Sequence, residues 1–223
     1  MKNILVISAH PDDETLGAGG TLLKHKKNND NLNWLIFTNI NEKLGFSADQ
    51  VETRKKEINK VSSAFGFQKT INLNYGTTKL DSSLLIKMIP QVSRIVSEIK
   101  PEIIYLMNRS DPHSDHRIAF QTVIPSMKSF RYPYVKKILM YECISETEFS
   151  PPIPEMIFQP NYFVDITDYI DKKIDIFQIY KSEIGIHPFP RSEKNIKSLA
   201  SFRGAIAGVE YAEAFQIIKI IDK

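Results

Sequence analysis

The residues of this chain best suited to chemistry stand in two short clusters. Ala9-His10-Pro11-Asp12-Asp13-Glu14 follows an apolar run near the start, and His113-Ser114-Asp115-His116-Arg117 lies far downstream; together they hold three of the five histidines. His10 and Asp13 are three apart, as are His113 and His116, and across a turn or the start of a helix such pairs face one way. Zinc at a catalytic centre takes three protein ligands and leaves one position for water. If both clusters lie at the carboxyl edge of neighbouring strands, two histidines and one carboxylate converge on one metal. Asp12 and one histidine are then left beside it. Those parts suit amide hydrolysis, in which a metal lowers the pKa of its water. A carboxylate takes the proton, and an imidazole stabilises the oxyanion or protonates the leaving amine. Spacing alone does not say which histidine does which.

The elements that must position these clusters follow from the hydrophobic pattern. Leu5–Ala9, Asn33–Thr38, Thr70–Tyr75, Ile103–Met107, Ile138–Cys143 and Tyr162–Ile166 read as strands, the first of them a continuous apolar run, as in sheets covered on both faces. Between them the spacing predicts helices from Asp12 to roughly Lys27, from about Ala48 to Phe65, and over Ser82–Lys100, Asp115–Phe130, Asp168–Ile184 and Ser192–Ala207. Gly66 is a C-terminal stop for the second of these, and Pro90 predicts a kink or a broken first half in the third. Gly17, Gly19 and Gly20, unusual inside a helix, read as close packing against the sheet. Phe149–Pro160, rich in proline, reads as a loop. Phe215–Ile221 is open between helix and strand, with its isoleucines favouring strand. Strands alternating with helices give an α/β fold: a mostly parallel, Rossmann-like sheet with helices on both faces, forming a single domain over residues 1–223.

Bulk properties exclude several classes. The 223 residues are 42% hydrophobic and 25% charged, the balance of an ordinary globular domain. A net charge of +3 with no basic stripe gives no support to nucleic-acid binding. No stretch reaches membrane-spanning length, and the apolar run after Lys2 is too short for a signal-peptide core. The single cysteine, Cys143, fits a reducing compartment, so the expected location is the cytoplasm. His25, among lysines, reads as a surface residue and Trp34 as core.

The two histidine clusters, in this order and at the ends of strands, resemble the signature of the LmbE-like, or PIG-L, zinc-dependent de-N-acetylases. The resemblance covers nearly the whole chain. Arg54-Lys55-Lys56-Glu57 with Phe65-Gly66 resembles the family's arginine-glutamate helix, and Val164-Asp165-Ile166, Arg203-Gly204 and Tyr211-Ala212-Glu213-Ala214-Phe215 are similar as well. The resemblance implies one zinc per chain on His10, Asp13 and His116, a donor set that also suits ferrous iron. It implies Asp12 as general base, His113 as the charged partner of the oxyanion and leaving group, and Asp115 holding the His113 ring. Arg54 corresponds to a sugar-contacting arginine. His187 and Arg191, in Ile186-His187-Pro188-Phe189-Pro190-Arg191, are further candidate substrate contacts, Arg191 for an anionic group.

The implied partner is a small N-acetyl sugar or sugar conjugate, with homo-oligomerisation left open. Two alternatives stand beside it: an amidase acting on another small amide such as a thiol conjugate, and a non-enzymatic zinc-bearing interaction protein. The chain leaves the family pattern at Tyr75-Gly76-Thr77-Thr78-Lys79-Leu80, where an acid and glycine are usual, and at Asn39-Ile40-Asn41-Glu42, where glycine-glutamate is usual. Both lie near the expected sugar pocket.

Overall fold

The computed structural model describes residues 1–222. Five parallel strands form the body of one seven-stranded sheet: β1 (Asn3–Ser8), β2 (Asn31–Asn39), β3 (Lys69–Gly76), β4 (Ile103–Met107) and β5 (Lys137–Tyr141). Two more, β6 (Tyr162–Asp165) and β7 (Ala212–Ile220), complete the order β3-β2-β1-β4-β5-β7-β6. β7 runs antiparallel to both its neighbours. The segment open between helix and strand is therefore a strand, inserted between β5 and β6. The helices are α1 (Asp13–Lys27), α2 (Ala48–Phe65), α3 (Leu85–Ile99), α4 (Ser114–Val123), α5 (Ile170–Phe177) and α6 (Glu193–Ala207). α1 packs with α2 and α5, and α5 with α6, while α3 and α4 form a second layer. The continuous apolar runs of β1, β2 and β4 are buried along almost their whole length, as a sheet covered on both faces requires. Trp34 is in the core, its indole N–H donating to Ser8 Oγ at 2.9 Å.

Several boundaries differ from the sequence expectation. α4 gives way after Val123 to a 3₁₀ turn, Ile124–Met127, because Pro125 has no N–H to continue an α-helix. α5 stops at Phe177, and Tyr180 then enters the core from a turn. α3 is not broken at Pro90. It runs through to Ile99 after a 3₁₀ turn over Ser82–Leu84, and the carbonyl that Pro90 leaves unpaired belongs to Ile86, which is exposed. His25 is largely buried rather than on the surface. Its Nδ1 lies 2.7 Å from Asp30 Oδ2 and its Nε2 2.9 Å from the Tyr105 hydroxyl.

The glycines of α1 do allow close packing. A Cβ on Gly17 would fall 2.1 Å from the Tyr141 ring, and one on Gly20 would meet Ile166 at 2.7 Å. The same helix is invaded by a buried ion pair. Lys173 Nζ bonds Glu213 Oε1 at 2.7 Å and donates to the Leu16 carbonyl at 2.7 Å. Glu213 in turn accepts from the backbone N–H groups of Gly20 and Thr21 at 2.8 and 2.7 Å. α5 and β7 thus grip α1 in its middle.

Candidate active site

β1 and β4 are adjacent and parallel, in register from Ile4 opposite Ile103 to Val6 opposite Tyr105. Strand order runs outward in opposite directions from this pair, which makes the gap beyond their carboxyl ends the switch point where open α/β sheets bind ligands. The first histidine cluster leaves β1 there and the second follows β4.

The turn after β1 is tightly determined. The His10 N–H donates to Asp13 Oδ2 at 2.8 Å, and the Asp12 carbonyl accepts from Thr15 and Leu16 N–H at 3.0 Å each, starting α1. Asp12 itself has φ 136° and ψ −30°, a conformation costly for a residue with a Cβ. Its N–H donates to Glu14 Oε2 at 3.1 Å. Glu14 is fully buried and also accepts from Thr15 Oγ1 and the Tyr180 hydroxyl. Burial pushes its carboxyl up to about 7 against those hydrogen bonds.

The structure brings His10, Asp13 and His116 together, with one donor atom of each within 4.8 Å of the others. His116 is completely buried. Its Nδ1 lies 2.8 Å from Asp111 Oδ2, and Asp111 Oδ1 is held by Asn108 Nδ2 and Thr147 Oγ1 at 2.9 and 2.8 Å. Among the described residues its Nε2 has no hydrogen-bond partner, and it faces Asp13 Oδ1 at 3.3 Å. A carboxylate behind one imidazole nitrogen and a bare lone pair on the other is the arrangement of a histidine that ligates a metal. The electrostatics agree. Burial opposes a charge on His116, yet Asp13 and Asp111 raise its pKa well above the ordinary value. Burial likewise opposes ionisation of Asp13, yet His116 and His10 hold it well below the usual carboxylate range. The two carboxylates favour a positive charge between them, which either a proton on His116 or a cation supplies, and the donor types fit a divalent cation.

His10 repeats the pattern, with its Nε2 3.0 Å from Asp115 Oδ2. This corrects the expectation that Asp115 holds the His113 ring. The Asp115 carboxylate is drawn away by the Thr78 and Leu80 N–H groups, at 2.7 and 3.1 Å, and turns to His10. What reaches His113 is the Asp115 backbone N–H, donating to Nδ1 at 3.1 Å as His113 caps α4. Nδ1 is therefore an acceptor and the ring proton sits on Nε2. Burial, together with His10 and His116, lowers the pKa of His113 to about 4. A ring so shifted is neutral near pH 7 and keeps its Nε2–H as a donor. His10, His113 and Asp115 also lie within ligand distance of one another, but Asp115 and the His113 Nδ1 are already engaged by backbone N–H groups.

Asp12 is buried at the edge of a cavity of about 710 Å³. Burial first, then Asp13 and Glu183, raise its pKa well above the ordinary value, against Arg191 and Arg54. Cys143 lies beneath the cluster, its Sγ 3.4 Å from Asp13 Oδ1, and burial pushes its thiol up, so it stays protonated.

Arg54 and Arg191 both line the cavity and share Glu183. Arg191 Nε donates to the Glu183 carbonyl at 2.8 Å, NH1 to Ser145 Oγ at 2.9 Å and NH2 to Glu183 Oε2 at 3.0 Å. Burial would raise the Glu183 pKa, but Arg54 and Arg191 hold it below the usual range. His187 does not join the site. Its loop folds Phe189 back onto Gly185 and under the Arg191 guanidinium, 5.3 Å from the ring centre, and leaves His187 exposed outside the cavity wall. Thr77 and Thr78 line the cavity where the acid and glycine are usual, and Asn39 and Ile40 line it where glycine-glutamate is usual.

Sequence reasoning missed Asp111 and Glu183. Asp111 had a signal, two residues before His113 in the same motif. Glu183 had none, because it lies in irregular chain after α5.

Comparison with known proteins agrees with this fold. Diacetylchitobiose deacetylase of Thermococcus kodakarensis is 22% identical over 98% of this chain and 84% of its own length. Among solved structures, N,N'-diacetylchitobiose deacetylase from Pyrococcus horikoshii, bound to its inhibitor MPG, superposes with a TM-score of 0.77 at 24% identity, covering 98% of this chain and 84% of that one. GalB, the 4-carboxy-2-hydroxymuconate hydratase of Pseudomonas putida, superposes with a TM-score of 0.76 at 18% identity, covering 100% and 98%. One fold thus carries a deacetylase and a hydratase, so the reaction is argued from the site. The family model described as GlcNAc-PI de-N-acetylase, PIG-L, matches residues 5–127, more than half of the sequence and inclusive of both histidine clusters. The chain belongs to the PIG-L family.

Proposed function

We propose that the protein is a metal-dependent hydrolase that removes the acetyl group from an N-acetylated amino sugar carried on a larger molecule. The observation that carries the reading is the unpartnered, fully buried Nε2 of His116, set against Asp13 with Asp111 behind the ring. A purely structural metal would need neither Asp12, held in a strained conformation at the cavity edge, nor the free Nε2–H of His113. The names of the deacetylases it resembles support the same reaction class.

His10, Asp13 and His116 would hold the metal, zinc by its mixed histidine and carboxylate donors, though ferrous iron accepts the same set. Such an ion, when bound, lowers the pKa of water and polarises a carbonyl. Asp12, its pKa raised by burial, takes the proton of the attacking water. The neutral His113 donates from Nε2 to the developing oxyanion. Asp12 then delivers its proton to the departing amine, which leaves as the free amino sugar with acetate as co-product.

The cavity runs on from this centre along Asn39, Ile40, Phe46, Asp49, Gln50 and Thr53. Its volume lies in the upper part of the range for small-molecule sites. Threonines replace the charged acceptor expected for sugar hydroxyls, and hydrogen bonds to neutral partners are the weaker kind. Plain N-acetylglucosamine is therefore expected to be a poor substrate. A carrier-linked or disaccharide N-acetyl sugar, its remote part on the wall around Phe46, does better. Part of this proposal is that the protein acts in the cytoplasm as a single domain.

Acetate release from free N-acetylglucosamine, diacetylchitobiose and glycoside-linked N-acetylglucosamine tests the reading. The linked sugars should show the higher kcat/KM. No acetate from any of them, with metal loaded, would refute the function. Efficient turnover of the free sugar, unimproved by any attachment, would refute the specificity.

A further inference from the structure

The backbone of Asp12 is strained, and its φ of 136° is fixed by two peptide planes held from different directions. The plane that follows it belongs to α1, with the Asp12 carbonyl taken by Thr15 and Leu16 N–H. The plane that precedes it, joining Pro11 to Asp12, is gripped at both ends. Its N–H donates to Glu14 Oε2 at 3.1 Å, and its carbonyl accepts from Arg54 NH1 at 3.0 Å.

Arg54 is itself immobilised. Its Nε faces Glu57 Oε2 at 3.2 Å, and its NH2 donates to Ser182 Oγ at 3.0 Å and to Glu183 Oε1. Its guanidinium stands over the Tyr180 ring, 5.6 Å from the centre, and the Tyr180 hydroxyl donates to Glu14. Of the five N–H groups a guanidinium carries, three donate to protein atoms, and the Nε lies within ion-pair distance of Glu57. A side chain kept mainly to grip a ligand would leave its fork open toward the cavity. This one is turned onto a backbone carbonyl.

We infer that Arg54 is a positioning residue for Asp12: it clamps the Pro11–Asp12 peptide and so holds the Asp12 carboxylate at the cavity edge. The inference rests on the reading of Asp12 as the base. Without the clamp, rotation of that peptide relaxes φ toward negative values and swings the carboxylate off the attacking water. Lysine cannot substitute, because one ammonium does not span Pro11, Ser182, Glu183 and Glu57 in a planar fork. The clamp also recruits Glu183, which lies beyond the residues matched to the family.

The test compares wild type, Arg54→Ala, Arg54→Lys and Glu183→Gln on two substrates: a linked N-acetyl sugar and an aryl acetamide with no sugar hydroxyls. A misplaced reacting group costs on the order of 10²-fold. Both arginine variants should lose about that factor in kcat on both substrates, with KM nearly unchanged. Glu183→Gln, which leaves the arginine in place, should show a smaller loss of the same pattern, and it keeps the test open if Arg54→Ala does not fold. A loss confined to the sugar and expressed in KM would overturn the inference and return Arg54 to sugar contact. A crystal structure of Arg54→Lys supplies a readout independent of activity. Asp12 should leave the positive-φ region, and retention of φ near its present value overturns the clamp. Absence of turnover by the wild type on every substrate counts against the proposed function, while the Asp12 backbone in the variant still decides the clamp.

Discussion

Each histidine of the candidate metal site, His10 and His116, has one nitrogen taken and one open, and that division sets what single substitutions should do. Asp111 fixes the His116 tautomer from behind, so Asp111→Asn should weaken zinc binding by about 10–100-fold. Equilibrium dialysis against a competing chelator measures this, and unchanged affinity would show that Asp111 plays no part in orienting the ligand. Asp12→Asn removes the proton acceptor but no ligand atom. The variant should keep its metal and lose about 10²–10⁴-fold in kcat, and near-wild-type turnover would mean that water is activated by another group. The acids and histidines of the two clusters were legible in the sequence because metal and base chemistry needs those types at short, fixed spacing. Asp115 was assigned to the wrong neighbour because spacing does not say which of two close histidines a carboxylate turns toward. Thr78 and Leu80 decide that, from a loop more than thirty residues upstream. Glu183 reaches Arg54 across 129 positions of chain, and no local pattern announces such a contact.

Among the elements, α1 is the one gripped in its middle by a buried ion pair. Its Leu16 carbonyl and its Gly20 and Thr21 N–H groups bond to side chains of α5 and β7 in mid-helix. Glu213→Ala would leave Lys173 charged and buried without its partner and two backbone donors without their acceptor. Breaking one partner of such a pair costs about 3–5 kcal/mol, so denaturant unfolding should show a loss of at least about 3 kcal/mol. A loss within experimental error would show that the pair is replaceable by water. The parallel strands were readable because burial on both faces demands continuous apolar runs. The ends of α4 and α5 were not. Pro125 stops the first, but the turn after Phe177 is set by Tyr180 docking against Glu14, a partner 166 positions away.

At the scale of the whole molecule, the edge of the sheet opposite the site carries a pH-dependent contact. Neutral His25 is fully satisfied, with Nδ1–H donating to Asp30 and Nε2 accepting from Tyr105. Burial lowers its folded pKa below 6.5, against the pull of Asp30 and with help from Lys2 and Lys137. The unfolded chain therefore takes up that proton first as pH falls. The stability from this group is complete above about 6.5 and is lost as pH descends from there toward the folded value. Asp30, whose pKa is lowered by His25 and the Lys2 N–H despite some burial, adds a loss at still lower pH, in the same direction. The difference in unfolding free energy between pH 7.5 and 5.5 should be smaller in His25→Gln than in the wild type. An equal difference would place the acid sensitivity elsewhere. The grip on α1 has a consequence in time as well as in energy. Gly20 and Glu213 are 193 positions apart, and contacts so distant in sequence form late in folding. In synthesis the helix of Asp13 is made long before the strand that locks it. On the proposed function, cation uptake during refolding should coincide with the docking of β7 on α1 rather than with the formation of α1 alone.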